Sequence, residues 1–205
     1  MVVSFPFHYW SVEHLRLQER YGREKGISIG EAYGMASGWI FFLSWAGMWI
    51  SPQPRFALPP FHSQTVPIPY ADFSMPLTHL LISIPFLLMG SWFGIRGVRE
   101  VTLRVAETHR AERIVTTRVY SGVRHPQYLG GLLAHVGSSF LFSALYSLLS
   151  TPLVVVFVFL IARKEEEELV KEFGEEYEDY ARTVPMFIPR FRRRREHREF
   201  PKVNE

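Results

Sequence analysis

Three long stretches of the chain carry no Asp, Glu, Lys or Arg: Tyr33–Ser51, Phe73–Ile95 and Gln127–Ala162. A net charge of +3 over 205 residues gives no hint of this, because the charges are not dilute but segregated. An apolar segment of about 20 residues is what a helix needs to cross a hydrocarbon layer of about 30 Å. Backbone amides can be buried in lipid only when a helix or closed barrel satisfies them internally. The third stretch is long enough for two short passes of roughly 17 residues each. The pattern predicts an all-α polytopic membrane protein with about four transmembrane helices, the last two forming a C-terminal hairpin followed by a cytoplasmic C-terminal helix.

The basic residues orient these spans. Arg16, Arg20, Arg23 and Lys25 precede the first run, Arg55 alone lies between Pro52 and Asp72, and seven arginines lie between Arg96 and Arg124. Cationic loops stay on the cytoplasmic side, so both termini are expected there, with the hairpin tip near Ser147–Pro152 on the far side. Residues 1–32 are too charged to read as a cleavable signal. With no cysteine in the chain, disulfides, thiolate metal ligands and cysteine nucleophiles are excluded. The histidines show no HxxH or HExxH spacing, so no metal site is expected. There is no Walker loop, no Gly-x-Ser-x-Gly elbow and no GxGxxG after a strand.

Three regions follow. Residues 1–75 hold the first span and a far-side loop whose six prolines, from Pro52 to Pro69, disfavour helix and interior strand; the loop reads as a connector or as a lid over a lipid entrance. Residues 76–191 hold the remaining spans. Pro76 suits a helix start, Pro85 a mid-helix kink, and Gly90, Gly94 and Gly97 a face for close helix approach or for a cofactor pressed against backbone. Residues 192–205 belong to a basic tail; the six arginines from Arg190 to Arg198 fit anionic lipid headgroups better than nucleic acid, since the lone Phe191 among them is no base-stacking platform.

Chemistry gathers at the two ends of the third run. Arg124-His125-Pro126-Gln127-Tyr128-Leu129-Gly130 opens it, and Lys164 followed by four consecutive glutamates closes it. Pro126 fits the first helical turn and puts His125 at or next to the N-cap, where exposed amides and the helix dipole suit an anion. Arg124 adds a full charge, and Tyr120 and Tyr128 add rings for stacking or for facing a cation. On a helix over Ile161–Tyr180, Glu166 falls on the apolar stripe, Glu167 faces Arg163, Lys164 and Lys171 in solvent, and Glu165 is intermediate. A carboxylate on an apolar stripe at a membrane edge must be paired or liganded. Its partner is either Arg124 or Arg163 in a structural ion pair, or a ligand bearing ribose hydroxyls, an ammonium or another cation.

At these residues the chain resembles the isoprenylcysteine carboxyl methyltransferase and phospholipid methyltransferase superfamily of small membrane enzymes. The likeness covers residues 76–191. It rests on Tyr120 four before Arg124-His125-Pro126, then x-Tyr128-x-Gly130, Glu165-Glu166, Phe173-Gly174-Glu175-Glu176-Tyr177-x-x-Tyr180, and Val184-Pro185 through Ile188-Pro189. Before Tyr120 many members have Gly-Pro where this chain has Arg118-Val119.

The resemblance implies S-adenosylmethionine-dependent methyl transfer to a lipidic or small hydrophobic acceptor at the cytoplasmic membrane face. It carries cofactor binding onto Tyr120, Arg124, His125, Tyr128, Glu165 and Glu166, with Gly130 at the close-packing position of the hairpin and within the cofactor-binding set. His125, Glu166 and Arg124 are the candidate catalytic residues, expected to take a proton from an amine or to steer a carboxylate or thiolate. Two other readings stand beside this one: an NADPH-dependent sterol-type reductase on a related scaffold, and a non-enzymatic membrane protein whose polar bracket only anchors the interface. The acceptor and the oligomeric state are not legible in the sequence.

Overall fold

The computed structural model describes residues 3–59, 63–67, 74–101 and 113–189, and these are predominantly helical. Helices α1 (Ser4–Val12) and α2 (His14–Tyr21) pack back on a long α3 (Arg23–Ile50). A short antiparallel ribbon pairs β1 (Thr65–Pro67) with β2 (Ser74–Pro76), and α4 (Leu77–Val101) follows directly. A 3-10 turn at Arg118–Ser121 leads to α5 (Pro126–Leu141), the short α6 (Leu145–Leu149), α7 (Thr151–Phe173) and α8 (Glu175–Thr183). The basic tail and most of the segment between α4 and the 3-10 turn lie outside the described residues.

Several expectations shift. The first helix starts ten residues before its uncharged run, because Gly22 (φ 80°) lets α2 turn sharply into α3. The hairpin reverses over Phe142–Ser150, earlier than expected, with Ser143 in the left-handed region (φ 49°). The terminal helix is not continuous from Ile161 to Tyr180: Gly174 (φ 58°, ψ −132°) ends α7 and re-aims the chain into α8. The proline-rich loop is docked on the hairpin turn, where Phe56 N–H donates to Ser143 O at 3.3 Å, Leu145 N–H to Pro54 O at 3.2 Å and Arg55 to the Phe142 carbonyl.

Helices α4 and α5 pack backbone to backbone. A methyl group at Gly130 would sit 2.6 Å from Gly94 N and 2.7 Å from Gly90 O, and one at Gly90 would sit 2.8 Å from Gly130 O. The glycine face of α4 is thus spent on helix packing. Behind it Trp45, Val154 and Val158 join α3 to α7. A buried polar link crosses this core. Trp45 Nε1 donates to His135 Nδ1 at 2.8 Å, and His135 Nε2 lies 3.1 Å from Ser147 O. Because an indole only donates and a carbonyl only accepts, His135 is held as the neutral Nε2–H tautomer.

Among the described residues α4 is long and apolar enough to cross a membrane, with mean hydropathy 1.5 and only 17% of that window buried. The protein core alone therefore does not account for its apolar surface.

Substituting Gly130→Ala forces backbone, not a flexible side chain, to move, and is expected to cost about 1–3 kcal/mol. Gly94→Ala, whose added methyl meets nothing within 4 Å, is the matched control. Thermal unfolding in detergent is expected to show a lowered midpoint for the first and an unchanged one for the second.

Candidate active site

His125 is the N-cap of α5 and Pro126 its first residue, so the heptapeptide opens the helix as its proline dictates. The chain before it is held against the segment that leaves α8. Arg124 N–H donates to Pro185 O at 2.9 Å and His125 N–H to Met186 O at 3.1 Å. The Val184-Pro185 block thus acts as a strap across the mouth of the hairpin. Tyr180 tightens it, donating to the Tyr120 carbonyl at 2.7 Å.

Four of the five N–H donors of Arg124 are engaged. Its Nε donates to Glu166 Oε1 at 2.7 Å and its Nη2 to Glu166 Oε2 at 2.9 Å, a fork-to-carboxylate pair. Its Nη1 reaches the carbonyls of Ala181 (2.8 Å) and Val184. His125 Nε2 donates to Glu166 Oε1 at 3.0 Å. Burial works against the charge on Glu166, but the hydrogen bonds from His125 and Arg124 outweigh it and hold the carboxyl below the usual carboxylate range. Arg163, the other partner considered for Glu166, instead faces Glu167 at 3.8 Å in solvent.

Glu165 occupies a different environment one residue earlier. The Tyr128 hydroxyl donates to its Oε1, His125 Nδ1 lies 3.6 Å from Oε2, and His8 Nε2 lies 3.1 Å from Oε1. The His125 and Tyr128 rings stack at 5.5 Å with an 18° tilt between their planes. Tyr120 is buried, takes a hydrogen bond from Gln127 at 3.2 Å and donates weakly to Gly97 O at 3.4 Å; burial pushes its phenol well above the usual range.

A cavity of about 170 Å³ lies beside this knot. Its walls include Tyr120, Arg124, His125 and Tyr128 from the near end of the hairpin and Glu165, Glu168 and Glu172 from the far end. Val12, His14 and Leu15 close it from α1 and α2. Glu166 and Gly130 are not on this wall: the first is turned into the Arg124 pair, and the second lies in the α4–α5 contact. Of the sequence-derived candidates, the structure thus brings Tyr120, Arg124, His125, Tyr128 and Glu165 to the cavity and puts Glu166 directly behind them.

The sequence missed the N-terminal wall. Val12, His14 and Leu15 sit in a charged stretch with no motif, and nothing in its pattern announces a contact with residues more than 150 positions away. Lys164, expected beside Glu167 in solvent, is instead buried and donates to Glu13 at 3.1 Å and Glu168 at 2.9 Å while its ammonium lies 4.4 Å above the Tyr9 ring. Burial opposes that charge, yet the two carboxylates raise the lysine above its ordinary value.

The donor set suits S-adenosylmethionine. Carboxylates that accept hydrogen bonds can take ribose hydroxyls or an ammonium, apolar walls at Val12 and Leu169 can take an uncharged face, and local negative charge favours a sulfonium. The committed guanidinium of Arg124 leaves the anionic end of such a ligand to other donors.

Residues 78–176 match the phospholipid methyltransferase family. The methanethiol S-methyltransferase 2 of Bradyrhizobium diazoefficiens is 33% identical over 127 residues, 60% of this chain and 48% of that protein. The methanethiol S-methyltransferase of Crocosphaera subtropica is 31% identical over 121 residues, 58% of this chain and 46% of that protein. The protein-S-isoprenylcysteine O-methyltransferase of Schizosaccharomyces pombe is 38% identical over 78 residues, 37% of this chain and 33% of that protein. The chain thus spans about half or less of the length of these relatives. No solved structure matches it significantly.

Removing one side of a buried fork pair strands the other charge, so Glu166→Gln or Arg124→Met is expected to lower stability by about 3 kcal/mol. The pH dependence carries a sign. Glu166 titrates below its unfolded value of 4.5, so its contribution is complete above that pH and is lost as the pH falls through the depressed folded value. Urea unfolding is expected to show that Glu166→Gln loses part of the fall in stability below pH 4.5 seen in the parent.

Proposed function

We propose that this chain, whose residues 78–176 form a domain of the phospholipid methyltransferase family, is an S-adenosylmethionine-dependent methyltransferase acting on a lipidic or small hydrophobic acceptor at the cytoplasmic face of a membrane. The observation that carries the reading is the convergence of Arg124, His125, Tyr128 and Glu165 around one cavity at the polar base of an apolar hairpin, with Glu166 paired to Arg124 and His125 directly behind them. In this reading α3, α4, α5 and α7 are four spans with both termini cytoplasmic, and α5, at about 24 Å for 16 residues, crosses a locally thinned bilayer. Outward-facing Trp39, Leu43, Leu88, Trp92, Leu153 and Val156 support it, since such surface needs an apolar surround. The arginine tail then lies at the headgroups of the same face.

When bound, the cofactor supplies a methyl group on a sulfonium, an electrophile that needs alignment more than covalent help. Tyr128 and Tyr120 bound the cavity with rings, and Glu165 offers a carboxylate to hydroxyl or cationic groups. Val12, Leu15 and Leu169 exclude water from the reacting end. Arg124 at the wall and Glu166 behind it hold the site together: the fork pair keeps the two ends of the hairpin and the strap in register, and Glu166 orients His125. An acceptor that carries a proton can give it up to His125 or Glu165, two of the titratable groups at the wall. An anionic acceptor finds no uncommitted guanidinium at Arg124.

Incubating membranes containing the protein with methyl-labelled S-adenosylmethionine and separating the lipid extract is expected to give a labelled product absent from control membranes. Glu165→Gln and Tyr128→Phe are expected to weaken cofactor binding by about tenfold each, the loss of one hydrogen bond to a charged group. Calorimetry showing no binding to the unaltered protein contradicts the reading.

A further inference from the structure

The family domain begins at residue 78, yet part of the cavity wall and one contact to its carboxylate come from the first fifteen residues. Helix α1 is seated on α7 by Phe5, whose ring lies 5.3 Å from that of Phe157. Further along, Glu13 receives the Lys164 ammonium at 3.1 Å, and Tyr9 lies beneath it at 4.4 Å. Between these anchors His8, only 6% exposed, places Nε2 3.1 Å from Glu165 Oε1, within ion-pair distance.

We propose that His8 is a positioning residue of the site: it holds the Glu165 carboxylate in the orientation that faces the cavity, making α1 a working part of the pocket and not an appended helix. The inference rests on the methyltransferase reading for what Glu165 binds, but the contact itself stands on geometry. A glutamate side chain has three rotatable bonds, and fixing them against its own entropy takes contacts from more than one direction. Tyr128 and His125 hold Glu165 from the α5 side. His8 holds it from the opposite helix, and the Glu13–Lys164–Glu168 pairs keep α1 from drifting away with the histidine. His8 is also buried, so its ring is a costly choice unless the polar contact repays it.

The test uses the full chain in nanodiscs and two substitutions. The amide nitrogen of His8→Gln reaches the position of the imidazole Nε2, whereas that of His8→Asn falls short. His8→Asn is expected to weaken S-adenosylmethionine binding by calorimetry about tenfold, the loss of one close polar contact to a charged group. His8→Gln is expected to stay within about threefold, and the acceptor KM to hold within about twofold in both, since the contact is to one carboxylate. With Glu165→Gln as background, His8→Asn is expected to add no further loss, because the two residues act as one unit. Unchanged binding in His8→Asn, equal loss in both variants, or multiplying losses with Glu165→Gln overturns the proposal. If the unaltered protein binds no S-adenosylmethionine, it is the methyltransferase reading that fails. The positioning contact is then read from the unliganded protein: the His8→Asn and Glu165→Gln shifts in melting temperature are expected to be non-additive, and additive shifts overturn it.

Discussion

A single guanidinium holds together the parts of this molecule that the chain separates. Arg124 stands at the entrance to α5, Glu166 lies more than 40 residues later on α7, and Ala181 and Val184 lie at the end of α8. One planar fork satisfies the carboxylate and two orphan carbonyls together, which a lysine ammonium does not do with the same geometry. Glu166 is buried enough to need this, and Arg124 would be a stranded cation without it. The cavity wall is built on that pair: His125 is oriented by Glu166, Tyr128 is stacked on His125, and Glu165 is held by both.

Neighbouring glutamates therefore differ in role because of their position around one helix. Glu166 faces the interior of the hairpin and is consumed by structure, Glu165 is rotated toward α1 and the cavity, and Glu167 stands in solvent beside Arg163. A run of identical residues thus yields a structural pair, a cavity-facing group and a solubilising charge. It is also why an anionic acceptor has little to gain from Arg124, whose charge is already matched.

The parts of this arrangement that depend on spacing were legible in the sequence. Pro126 fixed the start of α5 and the N-cap at His125, the helical wheel separated Glu166 from Glu167, and the uncharged runs located α3, α4 and the hairpin. What depends on backbone torsion or long-range docking was not. Gly174 resembled any other residue in a helical run, yet its positive φ splits the last helix. Arg124 was read either as an ion-pair partner of Glu166 or as a ligand-binding group, and the two carbonyls it also ties, on Ala181 and Val184, had no signal in the spacing. His8, Val12 and Leu15 reach the site through the packing of α1 and α2, and no short motif records such packing.

The central claim is that the knot at the base of the hairpin, with its N-terminal wall, is where S-adenosylmethionine sits. Hydrogen–deuterium exchange of the protein in nanodiscs, with and without S-adenosylmethionine, tests this most directly. The account predicts slowed exchange in peptides covering residues 8–15, 120–129 and 165–172, with the proline-rich loop at 52–59 unchanged. Protection confined to that loop, or none anywhere at a saturating concentration, would contradict it.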